Sequence, residues 1–129
     1  MGATNMTGWR SGTIGEDAHI VLTDWAVMQV SLGGADGAVT RHFIGIRGGR
    51  PPRAQVSSPV VTFDPHSVRG VTESGRIYQL NGFSPVSVAV LATWTRWKEI
   101  NRIVDDRNVS SEVVRDIFAA AGAFERPAS

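Results

Sequence analysis

Two hydrophobic periods divide this chain, and the point where one gives way to the other limits what it can fold into. Up to residue 82, apolar and polar residues alternate with a period of two between clusters of Gly, Pro, Asp and Ser, as half-buried strands require. From residue 84 onward the apolar residues recur at helical spacing instead. Strands followed by helices are the pattern of an α+β domain. With 129 residues, 42% of them hydrophobic, the chain has the size and core content of one domain that needs no staple.

The β half resolves into about five segments. "HIVLTDWAVMQVSL" sets Ala26, Met28 and Val30 on one face and Trp25 and Val27 on the other. "GGADG" then supplies positive-φ positions for a turn, and "VTRHFIGI" returns with Ile44 and Ile46 on one side and Val39 and Phe43 on the other. An arginine- and proline-rich connection leads to "QVSSPVVTF", where Pro59 belongs at an edge, at a bulge or at the true strand start. "SVRGVTESGRIYQL" reads as two short strands joined by Ser74-Gly75. The expected architecture is an α+β fold: about five strands, mostly antiparallel, in a bent sheet or SH3-like small barrel over residues 9–82, followed by two C-terminal helices over 84–122. Residues 1–129 form a single domain in this reading, with 1–6 and 124–129 expected to fray.

The helices carry their own start and stop signals. Ser84 followed by Pro85 predicts the start of the first, with Val90, Trp94, Trp97, Ile100 and Val104 along one stripe. In "NVSSEVVRDIFAAAG", Ser110 is the expected cap, Glu112 suits the positive first turn, Val113, Val114, Ile117, Phe118 and Ala121 share a face, and Gly122 is the stop.

Several chemistries are excluded or unsupported. The absence of cysteine rules out disulfides, thiolate catalysis and cysteine-based metal sites. His19, His42 and His66 stand apart, with no metal-ligand spacing, and read as turn or surface residues. No nucleophile motif, P-loop or dinucleotide fingerprint is present, because Gly45, Gly48 and Gly49 precede prolines and another strand. No cofactor is implied. No leader or apolar spanning segment is apparent, so a soluble cytoplasmic chain with no membrane partner is expected.

Charge is what remains. The net charge is only +1, but Arg41, Arg47, Arg50, Arg53, Arg69 and Arg76 face only Asp64 and Glu73 in the segment between Arg41 and Arg76. Lys98 is the single lysine, so nearly every cation is a guanidinium, suited to planar recognition of carboxylate or phosphate. A genome rich in G and C yields the same bias with no partner at all. Base stacking would call on Phe43 and Tyr78, Trp94 and Trp97 suit either a core stripe or an interface, and Trp9 either pins the N-terminal arm or meets a partner.

The hairpin "GVTESGRIYQLNG" together with "WTRWKEIN", inside residues 57–101, resembles a loosely defined family of short uncharacterised bacterial proteins associated with phages and plasmids. That resemblance implies a small accessory protein acting by binding, of the kind that inhibits a host defence complex, as anti-CRISPR proteins do. The expected function is therefore a non-catalytic protein-binding module that uses the six arginines, above all those of the 47–53 loop, against an acidic protein surface, a host complex or a second copy in a homodimer. The alternative is a nucleic-acid-binding small barrel using the same arginines.

Overall fold

The computed structural model of the chain describes residues 9–31, 38–82 and 87–122. Eight strands and two helices follow one another as β1 (Arg10–Ser11), β2 (Ile20–Ser31), β3 (Val39–Arg47), β4 (Arg53–Val56), β5 (Val60–Asp64), β6 (Arg69–Thr72), β7 (Ile77–Leu80), α1 (Val88–Asn101), β8 (Asp105–Asn108) and α2 (Ser110–Ala120). The strands form one sheet in the order β1-β5-β6-β7-β2-β3-β4, with β8 also paired to β2. The α+β class is as expected, and the sheet is open, with β1 and β4 at its two ends, not closed into a barrel; there are more strands than the five anticipated. The sheet is also mixed, because β1 with β5 and β2 with β7 run parallel.

Strand β2 organises both faces of this sheet. Its register with β3 slips between Thr23 and Ala26, where Asp24 takes a left-handed φ of 49°. One extra residue reverses the alternation of side chains. Even-numbered Ile20 and Leu22 before the bulge therefore join odd-numbered Trp25 and Val27 after it in a single core with Phe43, Val60, Phe63, Tyr78 and Leu80. Ala26, Met28 and Val30 point the other way, into a second core with Ile44. The edge of β2 away from β3 is shared, its first part pairing β7 and its last part β8.

Each face receives one helix. Val109, Val113 and Ile117 place α2 on the first core, and Val90 and Trp94 place α1 on the second. Helix α1 starts at Val88 with Ser87 as its cap, accepting from the Val90 amide; the expected Ser84 and Pro85 start lies outside the described residues. Arg102, left-handed at φ 57°, ends the helix at Asn101, so Val104 lies beyond it and does not continue the Trp stripe; Ile100, in the last turn, is exposed as well. The segment after it becomes β8, which the helical periodicity did not disclose. Ser110 does not cap α2. Its hydroxyl instead accepts from the Val27 amide at 2.9 Å, and Val27 returns its carbonyl to the Val109 amide, so the helix start is bonded to β2. Phe118 and Ala121 are exposed, leaving a narrower buried stripe than expected, and Gly122 follows with φ 78° as the stop.

The stretch read as one strand before "DPH" is two. β4 pairs β3 and β5 pairs β6, with Pro59 immediately before β5 at a true strand start. Across the break, the Ser57 amide donates to Phe43 O and the Ser57 hydroxyl accepts from the Phe43 amide, so the corner stays tied to β3. The β6–β7 connection is also longer than two residues: Thr72 and Arg76 close a loop of Glu73, Ser74 and Gly75, with Gly75 at φ 86°. The "GGADG" loop of the β2–β3 hairpin and the termini at 1–6 and 124–129 lie outside the described residues.

Burial settles the aromatic residues. Phe43 and Tyr78, proposed for base stacking, are core residues whose rings meet edge to face at 5.8 Å. Trp9 pins the N-terminal arm, stacking on Phe63 at 5.0 Å. Trp94 is buried and Trp97 half-buried, and the two indoles stack at 4.9 Å. Trp94 Nε1 donates to Asp106, which also pairs with Lys98 at 3.3 Å, so α1 is fastened to β8. His42 is not a surface residue; it is buried against Trp97 with its Nδ1 2.8 Å from Ser57 O. A carbonyl only accepts, so Nδ1 carries the proton and Nε2 of the neutral ring accepts from the Thr40 hydroxyl. Burial holds this imidazole below its ordinary pKa, although the Ser57 bond and the charge of Glu73 oppose the shift. Among the described residues, no helix is long and apolar enough to cross a membrane.

Two predictions test this frame. A Cβ added to Gly70 would lie 2.5 Å from Cε2 of the buried Phe43 ring, so Gly70→Ala should cost about 1–3 kcal/mol by overpacking, read as a lower urea midpoint. Buried Asp64 accepts from the amides of Ile14, His66 and Ser67; burial raises its pKa, but these bonds outweigh it and hold the carboxyl below its ordinary 3.8. Its folded pKa being the lower one, the stability it contributes is complete above about pH 3.8 and is lost as pH falls through the folded value. Asp64→Asn should flatten that acid limb in denaturation curves measured from pH 5 to 2.

Candidate functional site

The six arginines separate into three groups. Arg41 and Arg69 are consumed by the fold. Arg41 lies over the Trp9 ring at 5.1 Å, donates to Gln29 at 3.0 Å and pairs with Glu112 at 3.3 Å, joining the arm, β2 and α2. Burial pulls its pKa below the ordinary guanidinium value against the opposing attraction of Glu112, yet an arginine stays charged at any physiological pH. Glu112 also accepts from Arg107 at 2.6 Å, and that bond is the main reason its carboxyl sits below its ordinary value. Arg69 donates to Gln79 at 2.8 Å and to Glu16 O at 2.7 Å. Both of these candidate binding residues are half-buried and already engaged within the fold. Arg76 is exposed on the separate β6–β7 loop.

Arg47, Arg50 and Arg53 are brought together at the end of the β3–β4 hairpin. Arg47 and Arg53 face each other in the register of the two strands. The loop between them is Gly48-Gly49-Arg50-Pro51-Pro52, with Gly49 at φ 142° and a cis peptide before Pro51. All three side chains are exposed and line, with Gly48, Gly49 and Pro51, a depression of about 310 Å³. Among the described residues no acid contributes to its lining. Two like charges directly opposite on one face are mutually destabilising in a hairpin; both are exposed, and among the described residues neither has an ion-pair partner. The arrangement presents a fork of positive charge to solvent, in the form that takes up carboxylate or phosphate.

Sequence reasoning missed the support behind this fork. Gln55 Oε1 accepts from Arg47 at 3.4 Å, and Gln55 Nε2 donates to the hydroxyl of Tyr78 at 2.8 Å. The guanidinium is thus joined through one amide to a core tyrosine. The available signal is the alternation within "RAQV", which begins two residues before the expected strand start at Gln55.

A second depression, of about 250 Å³, is lined by Gln29, Ser31, Asp105, Asp106 and Arg107 at β8. Its Asp106 is already engaged by Trp94 and Lys98. Among the described residues, no group of three or more His, Asp or Glu is placed to hold a metal ion. Compared with known proteins, the chain matches no protein-family model, no curated protein and no solved structure.

The partition of arginines has a measurable consequence. Arg41→Ala removes the Trp9 stack and the Glu112 pair together and should lower stability by about 1–3 kcal/mol. Arg50→Ala and Arg53→Ala should each change it by less than about 0.5 kcal/mol. Chemical denaturation of the three single variants tests the contrast.

Proposed function

We propose that the protein is a non-catalytic binding module that engages an acidic partner protein through Arg47, Arg50 and Arg53. The observation that carries this reading is the cross-strand placement of Arg47 against Arg53 around a depression that also takes Arg50 and that no described acid lines. Such repulsion between exposed like charges is relieved when an acidic ligand binds between them. Guanidiniums gathered at a hairpin end also suit fast, salt-sensitive capture of a charged surface. The resemblance to accessory proteins of mobile elements makes a host defence complex the first class of partner to screen.

A nucleic-acid ligand would use the same three arginines. It is the weaker reading because Phe43 and Tyr78, the aromatics expected to stack on bases, are buried and cannot do so. A net charge of +1 also gives little general attraction to a polyanion.

The test is fluorescence anisotropy with two labelled probes, a polyglutamate peptide and a mixed-sequence oligonucleotide, across a salt series. The peptide should bind at low salt with an affinity that declines as salt rises, and the triple variant Arg47→Ala, Arg50→Ala, Arg53→Ala should lose about tenfold or more while keeping its thermal midpoint. Stronger binding of the oligonucleotide, lost in the same variant, would reverse the order of the two readings. A collapse of the thermal midpoint would show the loop to be structural.

A further inference from the structure

We propose that the open edge of β4 takes up an extended acidic peptide segment as an added strand, on the outward-facing amide and carbonyl groups of Ala54 and Val56. The inference rests on the acidic-partner reading and specifies how such a partner is held. The Ser57 amide donates to Phe43 O, and the β3–β4 register continues from that pair without a slip through Gln55 opposite Gly45 and Arg53 opposite Arg47. In an antiparallel pair hydrogen-bonded positions alternate, so these residues turn their backbone groups toward β3. Ala54 and Val56 turn theirs the opposite way. β4 ends the sheet order, and among the described residues no hydrogen bond reaches the backbone of Ala54 or Val56 from that side.

The side chains of β4 define what would fit. Arg53 and Gln55 lie on the face that carries Arg47, while Ala54 and Val56 lie on the face packed against the α1 core. A strand added beside β4 therefore meets a guanidinium on one face and apolar surface on the other. An alternation of carboxylate and apolar residues satisfies both, with a carboxylate opposite Arg53 at cross-strand distance and Arg50 just beyond the strand end. Pairing β4 with β4 of a second copy would instead bring the arginine-bearing edges together, so charge selects a different, acidic segment.

The probe is a short labelled peptide of alternating Glu and Val, used with two N-methylated forms that each block one of its edges, in anisotropy titrations at low and moderate salt. The unmodified peptide should bind, and one methylated form should lose at least about tenfold although its charge is unchanged. Ala54→Pro should reproduce that loss, because the N–H it removes points away from β3 and the hairpin ladder is kept; should this variant not fold, the methylated peptides still distinguish strand addition on the unaltered protein. Equal binding of all three peptides, with Ala54→Pro indifferent, would overturn strand addition and leave the acidic-partner reading standing. Absence of any binding at low salt would overturn both. A mass that grows with concentration in sedimentation, and is abolished by Asp105→Arg, would assign the edge to β8 of a second copy and overturn the peptide assignment.

Discussion

Strand β2 must bury both of its faces, and the left-handed residue at Asp24 is what lets it do so without breaking either core. Without the extra residue, Ile20 and Leu22 would share a face with Ala26, Met28 and Val30, and the first core would lose the aliphatic residues at one end of its central strand. The bulge also turns the edge of β2, so that β7 pairs with its first part and β8 with its last. Both helices are then positioned by the same strand, α2 through the Val27 and Val109 backbones and α1 through β8.

Polar groups decide where the layers sit, because apolar contact alone does not fix a helix along a sheet. The indole of Trp94 and the amine of Lys98 converge on Asp106, and His42 is held between Ser57 O and Thr40 against the Trp97 ring. Asp64 gathers three backbone amides from the N-terminal arm and the turn after β5. Each of these groups is satisfied where it is buried, and displacement of its element would leave it unpaired at a cost of about 1–3 kcal/mol.

The same requirement separates structural from presented arginines. Arg41 and Arg69 lie where backbone, amide and carboxylate partners surround them, so their charge is engaged inside the fold. Arg47, Arg50 and Arg53 sit beyond the last core residue of the hairpin, where β3 and β4 leave the cover of α1. A basic edge strand of this kind deters pairing with copies of itself while leaving main-chain groups available to an acidic strand.

The period of two up to residue 82 and the helical spacing after it determined the α+β class, the two faces of the β2–β3 hairpin, and the burial of Val90, Trp94, Val113 and Ile117, since these follow from which side chains share a face. The basic hairpin end was legible too, because five loop residues rich in Gly and Pro can hardly be buried. Tertiary structure alone decided the rest. Parallel pairing of β1 with β5 and of β7 with β2, the conversion of "DDRN" into β8, and the exposure of Ile100 and Val104 all depend on partners distant in the chain. So does the division of six similar arginines into structural and presented ones, because a guanidinium is claimed by whatever carboxylate, amide or ring the fold brings beside it.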